Sequence, residues 1–185
     1  MAARADSTGL DWWTEPADEI DGHELVKDAA LFALVGVPFI ITRATYHAGI
    51  QRKGVTHQDD YVSLELRVAP AGHIASRMAA GRLSADAAAK IVPGEQLVIN
   101  DGSTGIYRQV TQYLALKGLI TLPPGAEEGE KGETVWDLPR SLWDAGAEDA
   151  TKGIPIALRC SRGLRVSEYD NPTGGDAKAR TWYLA

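Results

Sequence analysis

The run Glu95-Gln96-Leu97-Val98-Ile99-Asn100-Asp101-Gly102-Ser103-Thr104-Gly105-Ile106-Tyr107-Arg108-Gln109-Val110 changes character halfway. Up to Asn100 it is a short apolar strand. Asp101 to Gly105 holds only turn formers and a helix N-cap. Beyond it, Ile106, Val110, Tyr113 and Leu114 recur at helical spacing, and Gly118 stops the helix. A helix entered at this point decides between β architectures, so the remaining elements are read outward from it.

Upstream, Phe39 to Tyr46 is β-branched and aromatic, a first strand. A polar loop, His47 to Asp60, carries Arg52 and Lys53 at its middle. Tyr61 to Val68 is the clearest strand: Val62, Leu64, Leu66 and Val68 face one way, and Tyr61, Ser63, Glu65 and Arg67 the other. Residues 70–93 are Ala-rich and partly helical, with Ser84 a candidate N-cap. Asp21 and Glu24 form a capping box before a short amphipathic helix through Leu25, Ala29, Phe32 and Ala33, stopped at Gly36. Downstream, residues 123–150 are an acidic, Gly/Pro-rich excursion with Trp136 and Trp143. Alternation returns at Ile156, Leu158 and Cys160, then at Leu164 and Val166, and Arg180 to Leu184 reads as a terminal strand.

Without its appendages the order is strand, strand, strand, helix, strand, strand. That predicts a mainly β protein with helical additions: a five-stranded OB-fold Greek-key barrel with its helix between strands 3 and 4. A parallel α/β sheet would need a helix after every strand. Residues 1–20 are read as an acidic disordered arm, and 21–185 as one OB domain with insertions at about 70–93 and 123–150. The loops His47–Asp60 and Tyr169–Lys178 border its binding face.

Charge is partitioned along the same lines. Segments 1–35, 36–122, 123–150 and 151–185 carry net −6, +3, −6 and +3 within a total of −6. The strand-rich segments are basic and the appendages acidic. This points to one surface for a polyanion and others for proteins. The single cysteine, Cys160, excludes an internal disulfide and reads as a small core residue. No apolar run is long enough to span a membrane, no leader is recognisable, and a cytoplasmic setting is expected.

Three motifs carry a family resemblance: Leu34-Val35-Gly36-Val37-Pro38-Phe39 leading into the first strand, Tyr61-Val62-Ser63-Leu64-Glu65 in the second, and Asn100 to Gly105 before the helix. On these the chain resembles single-stranded DNA-binding proteins of tailed bacteriophages. The resemblance implies an OB fold and a role in phage DNA replication or recombination, in the host cytoplasm. Familiar single-strand binders end in an acidic recruiting tail, whereas this chain ends Trp182-Tyr183-Leu184-Ala185. A recruiting role would then fall to the N-terminal arm or to 123–150.

Single-strand binding needs aromatic faces for bases and cations for phosphates. The candidates are Arg43, Tyr46, Arg52, Lys53, Tyr61, Arg67, Arg159, Arg165, Lys178, Arg180 and Trp182. Each alone is more simply an ordinary strand-face residue, with Tyr46 and Trp182 in the core; the set gains weight because acid is scarce around it. Trp12-Trp13, flanked by Asp11 and Glu15, is a candidate docking motif for replication or recombination proteins. Trp136 and Trp143 more simply hold their loop to the barrel. The Asn100–Gly105 turn lacks the Lys and glycine spacing of a P-loop.

Asp59, Asp60, Glu65 and Arg67 contain the parts of a metal-dependent nuclease, but no α/β frame surrounds them. His57 with either aspartate is too sparse for zinc, and no nucleophile elbow occurs. The expectation is a non-enzyme without cofactor or metal that binds single-stranded DNA with little sequence preference. The alternative is an OB-fold module that binds a host or replisome protein. Homo-oligomer formation is compatible with the sequence and not fixed by it.

Overall fold

A computed structural model describes residues 27–51, 58–101, 104–122, 141–144, 146–149, 152–170 and 178–185. Trp12-Trp13, the capping box at Asp21 and Glu24, Arg52, Lys53 and Trp136 lie outside them, as does most of 123–150. The elements in order are β1 (Lys27–Asp28), a 3-10 turn (Leu31–Leu34), β2 (Phe39–Gln51), β3 (Gln58–Val68), α1 (Ala71–Ala79), α2 (Ala85–Ala88), β4 (Gln96–Asp101), α3 (Thr104–Leu116), α4 (Ser141–Asp144), β5 (Ile154–Cys160), β6 (Leu164–Tyr169) and β7 (Ala179–Leu184). The chain is mainly β, and α3 follows the strand that the Glu95 run predicts.

One sheet has the order β1-β4-β3-β2-β5, and β6 and β7 form a second, with single bridges from Val35 to Gly163 and Leu164. The long pairings are antiparallel, while β1 adds to the outer edge of β4 in parallel. Alternation makes one face of this sheet the core. Phe39, Ile41, Val62, Leu64, Leu66, Val68, Leu97 and Ile99 are all buried. Each such side chain contributes about 1.5–3 kcal/mol by leaving water. The α3 stripe Ile106, Val110 and Leu114 is fully buried in the same cluster, as its spacing requires.

A bulge in β2 controls what each face displays. Ile41 pairs with Leu66, but the next paired residue is Arg43, opposite Glu65, so Thr42 is the extra residue. Its hydroxyl donates to the Glu65 carbonyl at 3.3 Å. Strict alternation from Phe39 would send Arg43 inward and Tyr46 outward. The bulge reverses that order, and Tyr46 is buried against Tyr107 and Trp143.

Three expectations need correction. Residues 27–34 are not a helix: Lys27–Asp28 is a strand, a 3-10 turn follows, and Phe32 is exposed. Pairing with β4 overrides helical spacing here. The loop after the first strand is shorter than His47–Asp60, because β2 runs to Gln51 and β3 starts at Gln58. A five-stranded barrel does not close among the described residues. The terminal strand β7 is engaged instead by β6 and by α3, where Gln109 Nε2 donates to the Leu184 carbonyl (2.9 Å) and the Leu184 N–H donates to Gln109 Oε1 (2.7 Å). Gly105 permits that contact, since a Cβ there would lie 2.2 Å from the Trp182 carbonyl oxygen. Ser84 does cap α2, accepting from the Ala87 N–H at 3.1 Å.

The hairpin is tied to the sheet at Gly163. With φ at +70°, it lets the β5–β6 turn touch Leu34 and Val37 backbone atoms that a Cβ would meet at 2.3 Å. Only glycine combines that conformation with that approach.

Candidate nucleic-acid interface

The core-averse residues of β2, β3, β4 and β5 share the other face of the large sheet. Register sets them in rows. His47 is opposite Tyr61; Thr45, Ser63 and Asn100 form the next row; Arg43 and Glu65 the next; Arg159, Ile40, Arg67 and Gln96 the last. Tyr61 to Arg67 spans about 20 Å at roughly 3.3 Å per residue.

At one end of this face the Tyr61 ring is stacked on His47, with centroids 4.6 Å apart and planes 19° from parallel. Both residues are half-buried. In the next row Ser63 donates its hydroxyl proton to Asn100 Oδ1. Arg43 Nε lies 3.7 Å from Glu65 Oε2, and its Nη1 donates to the Lys152 carbonyl at 3.1 Å. A long, half-exposed pair of this kind is worth little and leaves most of the cation's field outside. Arg67 has no ion-pair partner among the described residues, and Arg159 is exposed beyond it. Ile40 is only 3 % exposed although it points to this face between the two arginines.

The hairpin carries the other cations and uses them locally. Lys178 pairs with Asp170, and Arg180 Nε lies 2.7 Å from Glu168 Oε1. The Arg180 guanidinium also sits 5.2 Å from the centroid of Phe32, and that of Arg165 sits 5.0 Å from the Tyr183 centroid. Trp182 is buried and meets Phe32 edge-on at 4.8 Å.

Of the sequence candidates, Arg43, Tyr61, Arg67 and Arg159 therefore come together on one face. Arg165, Lys178 and Arg180 lie on the hairpin, and Tyr46 and Trp182 are core. Tyr46 is turned in by the bulge; Trp182 is covered because the hairpin packs its Val166–Trp182 face inward. Trp143 is also buried, stacked on Tyr107 at 5.8 Å. Sequence reading missed His47 and Asn100; extending the β2–β3 pairing one residue past Tyr46 would have brought His47 into view. Burial pushes the Cys160 thiol up to about 12, as befits an inert core thiol.

Among the described residues no three His, Cys, Asp or Glu side chains gather in a way that could hold a metal ion, and no helix is long and apolar enough to cross a membrane. No protein-family model matches the chain, and neither does any curated protein or solved structure.

Proposed function

We propose that this protein binds single-stranded DNA, with little base preference, on the outer face of the large sheet, in phage DNA replication or recombination. The frame is read as an opened relative of the OB fold, with β2 to β5 and α3 in the expected order and β1 occupying an edge. The observation that carries the proposal is the composition of one face: Arg43, beside Glu65, with Arg67 and Arg159 beyond it and the stacked Tyr61–His47 pair at its end. Cations for phosphates beside π-faces for bases are what sequence-tolerant strand binding requires.

Fluorescence anisotropy with labelled oligo-dT across a salt series tests it. Affinity falls linearly on a log–log plot, with a slope of about 0.7 per phosphate neutralised. An oligo-dC of equal length binds comparably. Affinity that is flat in salt, or absent at low salt, overturns the proposal.

A further inference from the structure

A second group of cations lies at the end of the sheet remote from the Gln51–Gln58 pair. The Ala69 N–H donates to the Pro38 carbonyl at 3.0 Å, and Phe39 pairs with both Val68 and Cys160. Helix α1 therefore starts, and the β5–β6 turn leaves, from the same end as the Arg67–Arg159 row. Helix α1 ends in a Schellman motif: the Gly81 N–H donates to the Met78 carbonyl (3.0 Å) and the Arg82 N–H to the Arg77 carbonyl (2.8 Å), with Gly81 at φ +66°. That turn fixes Arg82 beside Arg77. Arg162, in the β5–β6 turn, completes a trio.

Among the described residues none of the three has an acid within ion-pair distance. Arg77 Nε is buried with no hydrogen-bond partner. Burial, then the charges of Arg82 and Arg162, hold the Arg77 pKa below its usual value, and no carboxylate offsets them. A trio that repels itself and leaves a buried donor unmatched breaks the rules a purely structural cluster obeys. Guanidinium forks fit the paired oxygens of a carboxylate or a phosphate, and three cations gathered without an acid favour the more highly charged phosphate.

We propose that Arg77, Arg82 and Arg162 form a phosphate-binding cluster that extends the sheet-face interface past the Arg67–Arg159 row. Its anion chemistry stands alone; its assignment to a nucleic-acid backbone rests on the function proposed above. A strand long enough to leave the face at that row reaches the cluster, and a strand confined to the face does not.

The test compares the full chain with Arg82→Gln/Arg162→Gln, both exposed positions, and with a triple variant that adds Arg77→Gln. Removing like charges without partners leaves the fold intact, which far-ultraviolet circular dichroism checks. In the first arm, sodium pyrophosphate raises the melting temperature of the native protein beyond sodium chloride at equal ionic strength. The double variant loses that increment. In the second arm, an oligo-dT of about 30 nucleotides loses roughly 1.4 from its salt slope in the double variant, at 0.7 per phosphate. An oligo-dT of about 6 nucleotides, near the short end of single-fold site sizes, is unaffected.

Native binding of the long oligomer with an unchanged slope in both variants, and no pyrophosphate increment, overturns the cluster alone. A pyrophosphate increment lost in the variant with unchanged oligomer binding keeps the anion site and overturns its nucleic-acid role. If no oligomer binds the native chain, the proposed function falls, and the pyrophosphate arm still decides the cluster.

Discussion

The outer face of the large sheet and the β6–β7 hairpin carry similar residues and employ them differently. On the hairpin, Lys178 and Arg180 each sit on an acid, Arg165 sits on a ring, and the indole of Trp182 is buried. On the sheet face, Arg67 has no ion-pair partner among the described residues, Arg43 lies 3.7 Å from Glu65 and donates to a backbone carbonyl, and Tyr61 is half-buried. A count of cations along the chain treats the two regions alike. What separates Lys178 and Arg180 from Arg67 is that the fold has already supplied them with a counter-charge.

Trp182→Ala gives the largest effect. It removes a buried indole and should cost about 3–5 kcal/mol of stability, read as a lowered denaturation midpoint. DNA affinity of the folded fraction should not change. A loss of affinity without a loss of stability would erase the distinction between the two regions. Tyr61→Ala is the counterpart on the face: about 1–3 kcal/mol of DNA binding if a base stacks on the ring, by anisotropy, with little change in midpoint. Tyr61→Phe keeps the π-face and should bind as the native protein does.

Arg67→Gln should lower the salt slope by roughly 0.7, whereas Arg180→Gln should leave it unchanged. Equal slopes for the two variants would show that hairpin cations also reach the DNA. A double-mutant cycle on Arg180 and Glu168 should return about 0.2–1 kcal/mol of coupling, the range of exposed pairs.

An effect confined to alkaline pH concerns Cys160, on the core side. Its thiol pKa is raised from 9.0 to about 12 in the fold. The unfolded chain therefore releases this proton first as pH rises. The contribution of the neutral thiol is complete below about pH 9 and declines from there towards pH 12. Cys160→Ala should flatten that part of the stability curve, measured by denaturant titration at several alkaline pH values. An identical decline in both proteins would mean that the thiol is solvated.

How much of this was legible depends on whether a feature is local. The alternation of β3 and the stripe of α3 are written in consecutive residues, and the elements follow them. The Thr42 bulge is not: one unpaired residue reverses the side chains of β2 from Arg43 to His47, and no local signal marks it. The 3-10 turn was missed because Leu25, Ala29, Phe32 and Ala33 fit a helical period, while the β4 edge that claims Lys27–Asp28 lies far along the chain. Strand pattern in β6 and β7 was visible, but their choice of partner is a tertiary decision. The face residues Arg43, Tyr61, Arg67 and Arg159 could be named from the sequence, and so could a core place for Tyr46 and Trp182; the bulge that turns Tyr46 inward could not.

The grip of α3 on β7 has a consequence for how the molecule is made. Gln109 and Leu184 are separated by 75 residues, so the seat on the helix is synthesised long before the strand that fills it. Until residues 179–184 emerge, the amide of Gln109 and the hollow at Gly105 face water, and the core beneath Trp182 stays uncovered. Contacts of such long range are slow to form, and a nascent chain in that condition offers exposed apolar surface to its neighbours. The arrival of residues 179–184 is thus what turns a sticky intermediate into a covered core.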